Sequence, residues 1–355
     1  MFNKNYLKIL QVIGFSILGS LLMYWVYQKF ETSFVEQCQK DTPGADCNLM
    51  VKMVADFKSV NWFWMLAVVA SFMLSNWFRA LRWNMLLRGM GYQPKTYNTF
   101  WSTMIGYWVN TILPRIGELS RPIVASRYEK IPFDKVMGTI VVDRVLDILS
   151  LLTIVGIAFL LQFNLLWTFI TRSNQLTGIW TSPVFWTVIA LLSISTPYIL
   201  YKIRHKIKDL PFFYKVENII YGFWEGVKSI KKTENHTLFF VYSILIWFLY
   251  YTMPLFCFWA FPPTAHLTPM AALVVFVFSA MGILVPTPGG IGAYQYLVSL
   301  ALVSFYSITN GDAFSFSNII FVVVTLNNIL FGLLGYVVLP ILNKRDDNHL
   351  EDLIP

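Results

Sequence analysis

Three clusters of polar or flexible residues interrupt an otherwise apolar chain, and two of them carry charges suited to holding an anion. The first is Asn110-Thr111-Ile112-Leu113-Pro114-Arg115-Ile116-Gly117-Glu118-Leu119-Ser120-Arg121. Arg115, Glu118 and Arg121 recur at i, i+3 and i+6, so a helix brings Glu118 within reach of both arginines. Pro114 suits a first helical position, with Leu113 held extended before it. The helix that follows would turn free N–H groups and its positive dipole end toward the break, and Gly117 removes bulk beside Arg115. A guanidinium fork beside a helix N-terminus suits phosphate. A lipid phosphate or similar anionic headgroup is therefore the functional reading of Asn110, Arg115, Glu118 and Arg121. A salt bridge that merely fixes the turn at the cytosolic interface is the structural one.

The second cluster is Asp143-Arg144-Val145-Leu146-Asp147, inside a long apolar run. Asp143, Arg144 and Asp147 fall at i, i+1 and i+4 and form an acid–base–acid set on one helix sector. A charge at membrane depth costs about 2.5–3.5 kcal/mol on insertion scales, so pairing is expected, with Arg115 or Arg121 as natural partners for the acids. Substrate coordination, proton coupling and a structural network near the cytoplasmic boundary all remain open. The third cluster is Pro286-Thr287-Pro288-Gly289-Gly290-Ile291-Gly292-Ala293-Tyr294-Gln295. Gly289, Gly290 and Gly292 permit close backbone approach and positive φ, and a helix starting near Gly292 offers a second N-terminal anion site. Arg79, Arg82 and Trp83 close an apolar run and read as interfacial anchors.

Other chemistries find little support. No Ser/His/Asp or Cys/His nucleophile set is visible. The four histidines, His205, His236, His266 and His349, are scattered without metal-ligand spacing. No Walker or dinucleotide-binding glycine loop occurs. No metal, no cofactor and no enzymatic activity are expected.

The elements that must position these clusters are membrane helices. The 355 residues are 56% hydrophobic and 13% charged, against roughly 25% charged in soluble domains, too few to cover a water-facing surface. Long apolar runs occupy Leu7–Tyr27, Asn61–Phe78, Met137–Gln162, Pro183–Tyr201, Leu238–Ala260, Pro269–Val285, Ile291–Tyr306 and Phe316–Leu342. A helix crossing the hydrocarbon core needs about 20 residues, and most of these runs qualify. Many aromatics lie at run ends, Trp25, Trp62, Trp83, Trp180, Trp186 and Trp259 among them, as interfacial anchors do. Leu7–Tyr27 is too long for a signal peptide and lacks a small-residue cleavage site, so it reads as a retained first span.

Charge then orients the spans. The 79–95 stretch carries Arg79, Arg82, Arg88 and Lys95 and no acid, and the 202–236 loop has eight basic and four acidic residues. Both are expected in the cytoplasm with the two termini and the 343–355 tail, while the 28–60 loop is expected outside. The basic loops read as orientation signals facing anionic lipid headgroups, not as nucleic-acid sites. Cys38 and Cys47 share the external loop, where a disulfide is favoured over free thiols, and Cys257 reads as a packed residue.

If Tyr97–Leu113 crossed the membrane, the basic 114–136 stretch would lie outside, against the charge rule. A re-entrant hairpin through Tyr97–Asn110 with a turn near Leu113-Pro114 fits better, as irregular backbone at depth requires burial in protein or a wet cavity. Pro269–Val285 and Ile291–Tyr306, joined by the Pro/Gly cluster, read as a second hairpin entering from outside. Two broken hairpins from opposite faces resemble an inverted-repeat transporter, with tips meeting near the midplane. Two pairs of short, ordinary spans are the alternative. The expected fold is all-α and polytopic, a single membrane domain over 1–355 with about six to eight transmembrane helices.

These motifs resemble the family of the lysylphosphatidylglycerol synthase transmembrane region, the flippase-like half of bacterial multiple peptide resistance factors, in its stand-alone form. Asn110, Leu113, Pro114, Arg115, Gly117, Glu118 and Arg121 carry its first motif. Asp143, Arg144 and Asp147 carry the second, with Asp143 where the family has Glu. Pro286, Pro288, Gly289, Gly290, Ile291 and Gly292 carry the third, with Gln295 where Glu is usual. The resemblance implies a bacterial inner-membrane protein that handles lipids or lipid-linked headgroups. It leaves no room for the soluble aminoacyl-transfer domain of fused members, so synthase activity is not expected. The expected role is a flippase or translocator of an anionic phospholipid or lipid-linked intermediate, with Asn110, Arg115, Glu118, Arg121, Asp143, Arg144, Asp147, Gly289, Gly290 and Gly292 framing its site. The alternative is a non-transporting partner or regulator of a membrane glycosyltransferase or synthase.

Overall fold

The fold was analysed in a computed structural model, which describes residues 4–44, 47–113, 116–172 and 235–351, with Thr187, Leu191, Lys228 and Thr233 singly. The expected span Pro183–Tyr201 and the basic 202–236 loop fall almost wholly outside the described residues, and so do Pro114 and Arg115. Among the described residues there are helices and turns and no strand. This is an all-α polytopic membrane protein. Four helices among the described residues are long and apolar enough to cross a membrane: α3 (Trp62–Gly89), α6 (Phe133–Leu161, followed by the short α7, Phe163–Arg172), α8 (His236–Ala260) and α11, whose apolar part is Asn310–Lys344. Their outward faces are apolar, with Leu152, Leu160, Ile244 and Leu326 each at least 59% exposed. In water such a surface would drive aggregation, whereas hydrocarbon accepts it.

The first expected span is covered by α1 (Lys4–Asp41), which runs on as helix well past Tyr27. The expected external loop is thus largely helical, since α2 (Leu49–Ser59) follows, opened by Asn48, whose side-chain oxygen accepts from the Met50 and Val51 N–H groups. Cys38 and Cys47 are joined by a disulfide across the α1–α2 turn. Lys52 of α2 bonds Asp312 at the start of α11 (Asn310–Glu351) at 2.6 Å and Asp56 at 3.0 Å. Burial draws the Lys52 ammonium down, but these two carboxylates outweigh it and hold the group above its ordinary value.

The framework of the interior is the antiparallel pair α3 and α8. Asn61 N–H donates to the Ala260 carbonyl at one end, and Arg82 meets Ser243 toward the other. Between them runs a buried polar seam: Thr252 to Ser71, Ser75 to the Ile246 carbonyl, and Tyr250 to Asn76. Polar groups within an apolar protein persist only when they satisfy one another.

At both expected breaks a pair of helices packs together. In the first, α4 (Thr96–Ile112) ends at an extended Leu113 (φ −123°, ψ 104°), and α5 (Gly117–Glu129) returns along it. The second helix starts at Gly117, later than the first helical position expected for Pro114. In the second hairpin, α9 (Pro269–Leu284) and α10 (Ala293–Tyr306) flank a short 3-10 turn, Pro288–Gly290. Gly289, Gly290 and Gly292 all have positive φ (61°, 83° and 84°), so this turn requires the conformational freedom of glycine. A Cβ on Gly292 would also meet the Met23 backbone nitrogen of α1 at 2.9 Å. The 3-10 turn packs against α1 and α4, so the tip of one hairpin reaches the arm of the other. A second antiparallel contact, α4 on α11, is close enough that a Cβ on Gly335 would meet Trp101 at 3.1 Å.

Candidate functional site

The charged residues of α3, α5 and α6 converge in one buried cluster. Asp143 is fully buried and Asp147 is 8% exposed. Asp143 accepts from Arg82 Nη2 at 2.6 Å and Nε at 3.1 Å, and from Arg121 Nη1 at 3.2 Å. Asp147 accepts from Arg82 Nη2 at 2.7 Å and from Arg79 Nη1 in a very close pair. Arg79 Nη1 also lies 3.5 Å from Asp143. On the rim, Arg144 sits 3.6 Å from both Asp147 and Glu118. The i, i+1, i+4 set on α6 therefore forms as expected, and Arg121 partners Asp143 as expected.

Arg79 and Arg82 are the correction. Read from sequence as interfacial anchors, they are buried, at 3% and 0% exposure, and their guanidiniums are central to the network. The reason is helix length: α3 does not end near Phe78 but continues to Gly89. Arg82 is thus seven residues from the helix end, about 10 Å along the axis, and Asp143 is about 15 Å into α6 by the same rise. A sequence signal existed. Ser71, Ser75, Asn76, Arg79 and Arg82 recur at spacings of three and four and mark one continuous polar face of α3.

Glu118 also differs from expectation. It is half-exposed and faces Arg144 of the neighbouring helix, with no bond to Arg121, while its expected pairing with Arg115 falls outside the described residues. Asn110 has a clear positional task, since its Oδ1 accepts from the Gly117 N–H at 2.8 Å and ties the end of α4 to the start of α5. Gly117 is required by that approach. A Cβ there would overlap the Gly106 carbonyl and come within 2.6 Å of the Asn110 side chain.

The cluster has more cation than anion. Among the described residues, four guanidiniums, Arg79, Arg82, Arg121 and Arg144, face two buried carboxylates, with Glu118 on the rim. Arg121 is 3% exposed and stacks over Trp83, with Cζ 4.1 Å from the ring centroid. Its Nη1 reaches Asp143, but its Nε and Nη2 make no hydrogen bond, and neither does Nε of Arg79. Trp83 is itself pinned by its indole N–H donating to Thr139 at 2.9 Å. Arg121 is therefore held flat and in place with two nitrogens uncommitted. Above Arg79, Tyr250 and Tyr107 share a hydroxyl contact of 3.2 Å, and the Arg79 guanidinium lies 5.8 Å from the Tyr250 ring.

The glycine turn supplies a surface more than a charge. Gly289, Gly290 and Gly292 are not in the ionic network, and the start of α10 is partly self-satisfied, because Gln295 Oε1 accepts from the Gly292 N–H at 2.8 Å. Gln295 is buried and acts as a cap, a task its amide performs without a charge.

Fold and site together define a helical membrane protein with a buried, net-cationic cluster at a broken hairpin. Residues 50–332 match the family described as the lysylphosphatidylglycerol synthase TM region, and the chain belongs to that family. It is also similar to a UPF0104 membrane protein of Methanocaldococcus jannaschii, 24% identical over 295 residues, which cover 75% of this chain and 81% of the relative. No solved structure matches.

Proposed function

We propose that this protein is a flippase-like translocator of an anionic phospholipid or lipid-linked intermediate, whose phosphate binds at Arg121 beside Arg79 and Arg144. One observation carries the reading: Arg121 is buried and positioned, yet keeps Nε and Nη2 without acceptors inside a cluster whose positive charge exceeds its negative charge. Buried donors without acceptors are costly, and unbalanced buried cations more so. A phosphate oxygen supplies both the acceptor and the missing charge, and a guanidinium edge matches it in plane.

In this reading the two hairpins are re-entrant and enter from opposite faces, in inverted-repeat fashion, with the glycine turn packed beside α4 as the opposing wall. Asn110 and Gly117 set the angle of the break, and Trp83 sets the plane of Arg121. The substrate leaves chemically unchanged. Asp143 and Asp147 are committed to arginines, which makes them poor general bases and good anchors. The protein sits in the bacterial inner membrane with both termini in the cytoplasm. Its partner is the lipid itself.

The test is lipid movement in vesicles of phosphatidylcholine and phosphatidylglycerol carrying fluorescent phosphatidylglycerol, read by quenching of the outer leaflet with dithionite. The wild type is expected to expose inner-leaflet probe well above protein-free vesicles, and Arg121→Ala to lose this. Wild-type rates equal to those of empty vesicles, or an unaltered Arg121→Ala rate, overturn the reading.

A further inference from the structure

A second group of polar side chains lies in the membrane-spanning part of α11, outside the ionic cluster. Asn327 is 6% exposed and its Nδ2 makes no hydrogen bond, and Oδ1 of the neighbouring Asn328 is buried without a donor. An asparagine here is costly unless something satisfies it. Most other buried asparagines of the helices are bonded, Asn76 to the Phe72 carbonyl, Asn318 to the Phe314 carbonyl and Asn98 reciprocally to Asn343, while Asn84 donates to Thr96 but keeps a bare Oδ1.

Register places Asn328 where the hairpins meet, with Asn327 on the adjacent sector of the helix. Phe321, Thr325, Asn328, Gly332 and Gly335 recur at spacings of three and four and share one face of α11. At one end of that face, the Phe321 ring lies 3.8 Å from where a Gly289 Cβ would stand and 5.5 Å from the Tyr294 ring. At the other, a Cβ on Gly332 would overlap the Trp108 side chain and stand 3.0 Å from the Met104 carbonyl, and one on Gly335 would meet Trp101. Asn328 therefore lies between the glycine turn of the second hairpin and the C-terminal part of α4 in the first. Asn327, one position before it, is more deeply buried.

We propose that Asn327 and Asn328 read the uncharged part of the lipid headgroup, taking hydroxyl or amide groups beyond the phosphate with one donor and one acceptor. This rests on the translocator reading above and deepens it: the arginines hold the phosphate, and the asparagine pair selects headgroups that both donate and accept a hydrogen bond. A headgroup with two hydroxyls can accept from the Asn327 Nδ2 with one and donate to the Asn328 Oδ1, on the adjacent helix sector, with the other. A headgroup without hydroxyls leaves both amides unpaired, the penalty from which polar sites derive their selectivity.

The test compares two anionic probes in the same vesicles: fluorescent phosphatidylglycerol, whose headgroup carries hydroxyls, and fluorescent phosphatidylmethanol, which has the phosphate alone. The wild type is expected to move phosphatidylglycerol about tenfold faster, the scale of one well-made neutral hydrogen bond. In Asn328→Ala and Asn327→Leu the ratio of the two rates should fall toward one. The ratio is internal to each preparation, so partial loss of folded protein lowers both rates and leaves it unchanged. Arg121→Ala should slow both probes together. Equal wild-type rates, or a ratio that survives both asparagine substitutions, overturn the asparagine assignment and leave the phosphate site standing. A wild type that moves neither probe overturns both.

Discussion

Removing Asp143 should destabilise the protein more than removing its partner Arg121. Asp143 is fully buried and accepts three short hydrogen bonds, two from Arg82 and one from Arg121, with Arg79 a further 3.5 Å contact. Asp143→Asn leaves four guanidiniums around the single buried carboxylate of Asp147. Breaking a buried pair by deleting one partner typically costs about 3–5 kcal/mol, because the remaining charges stay desolvated. Arg121→Met removes only one hydrogen bond and relieves two uncommitted nitrogens, so about 1.5–3 kcal/mol is expected, the range for a hydrogen bond to a charged group. The double variant Arg121→Met/Asp143→Asn should then cost clearly less than the sum of the singles. Unfolding in mixed micelles, titrated with sodium dodecyl sulfate and followed by tryptophan fluorescence, measures all three. An Asp143→Asn variant within 0.5 kcal/mol of wild type, about the level of a neutral surface change, would refute the buried-cluster reasoning.

Other expectations follow from the same geometry. Gly117→Ala should separate α4 from α5 and cost several kcal/mol or abolish folding, whereas Gly156→Ala, with nothing within 4 Å of its added Cβ, should be neutral or slightly stabilising in the same unfolding titration. Cys38 and Cys47 should resist maleimide–polyethylene glycol labelling in unfolded protein until reduced and then take two labels, while the reduced protein loses about 2–3 kcal/mol for the nine-residue separation. The clasp of Lys52 on Asp312 should depend on pH in a stated direction. Its ammonium is held above its ordinary value when folded, so its contribution is complete below the unfolded-state value and is lost as pH rises through the folded one. Stability should therefore fall on the alkaline side, and Lys52→Met should remove that limb of the pH profile.

Much of this arrangement was legible because breakers and charge spacing are local signals. Clustered prolines and glycines stop helices where single ones such as Pro122, Pro254 and Pro340 do not, so both hairpin breaks, at Leu113 and at 286–292, were placed correctly. The set Asp143, Arg144 and Asp147 needed only the helical period. Arg79 and Arg82 were misplaced for a physical reason: a cationic end to an apolar run looks the same whether it snorkels to water or turns inward, and the choice depends on Asp143 and Asp147, more than 60 residues away. The helical extension of α1 past Tyr27 was lost for a similar reason. Hydropathy marks where lipid contact ends, not where the helix does, and the polar turns up to Asp41 are held by α2 and the disulfide. Asn110 was singled out as a ligand, yet its capping bond to Gly117 could not be seen without the turn between them.

The central claim is that the buried arginines hold a lipid phosphate, and native mass spectrometry of delipidated protein tests it directly. Incubated with equal amounts of phosphatidylglycerol and phosphatidylcholine, the wild type and an Arg88→Met control, altered at an exposed arginine, should each retain phosphatidylglycerol in preference. Arg121→Met should lose that preference. Equal retention of the two lipids by the wild type, or an undiminished preference in Arg121→Met, would contradict the account.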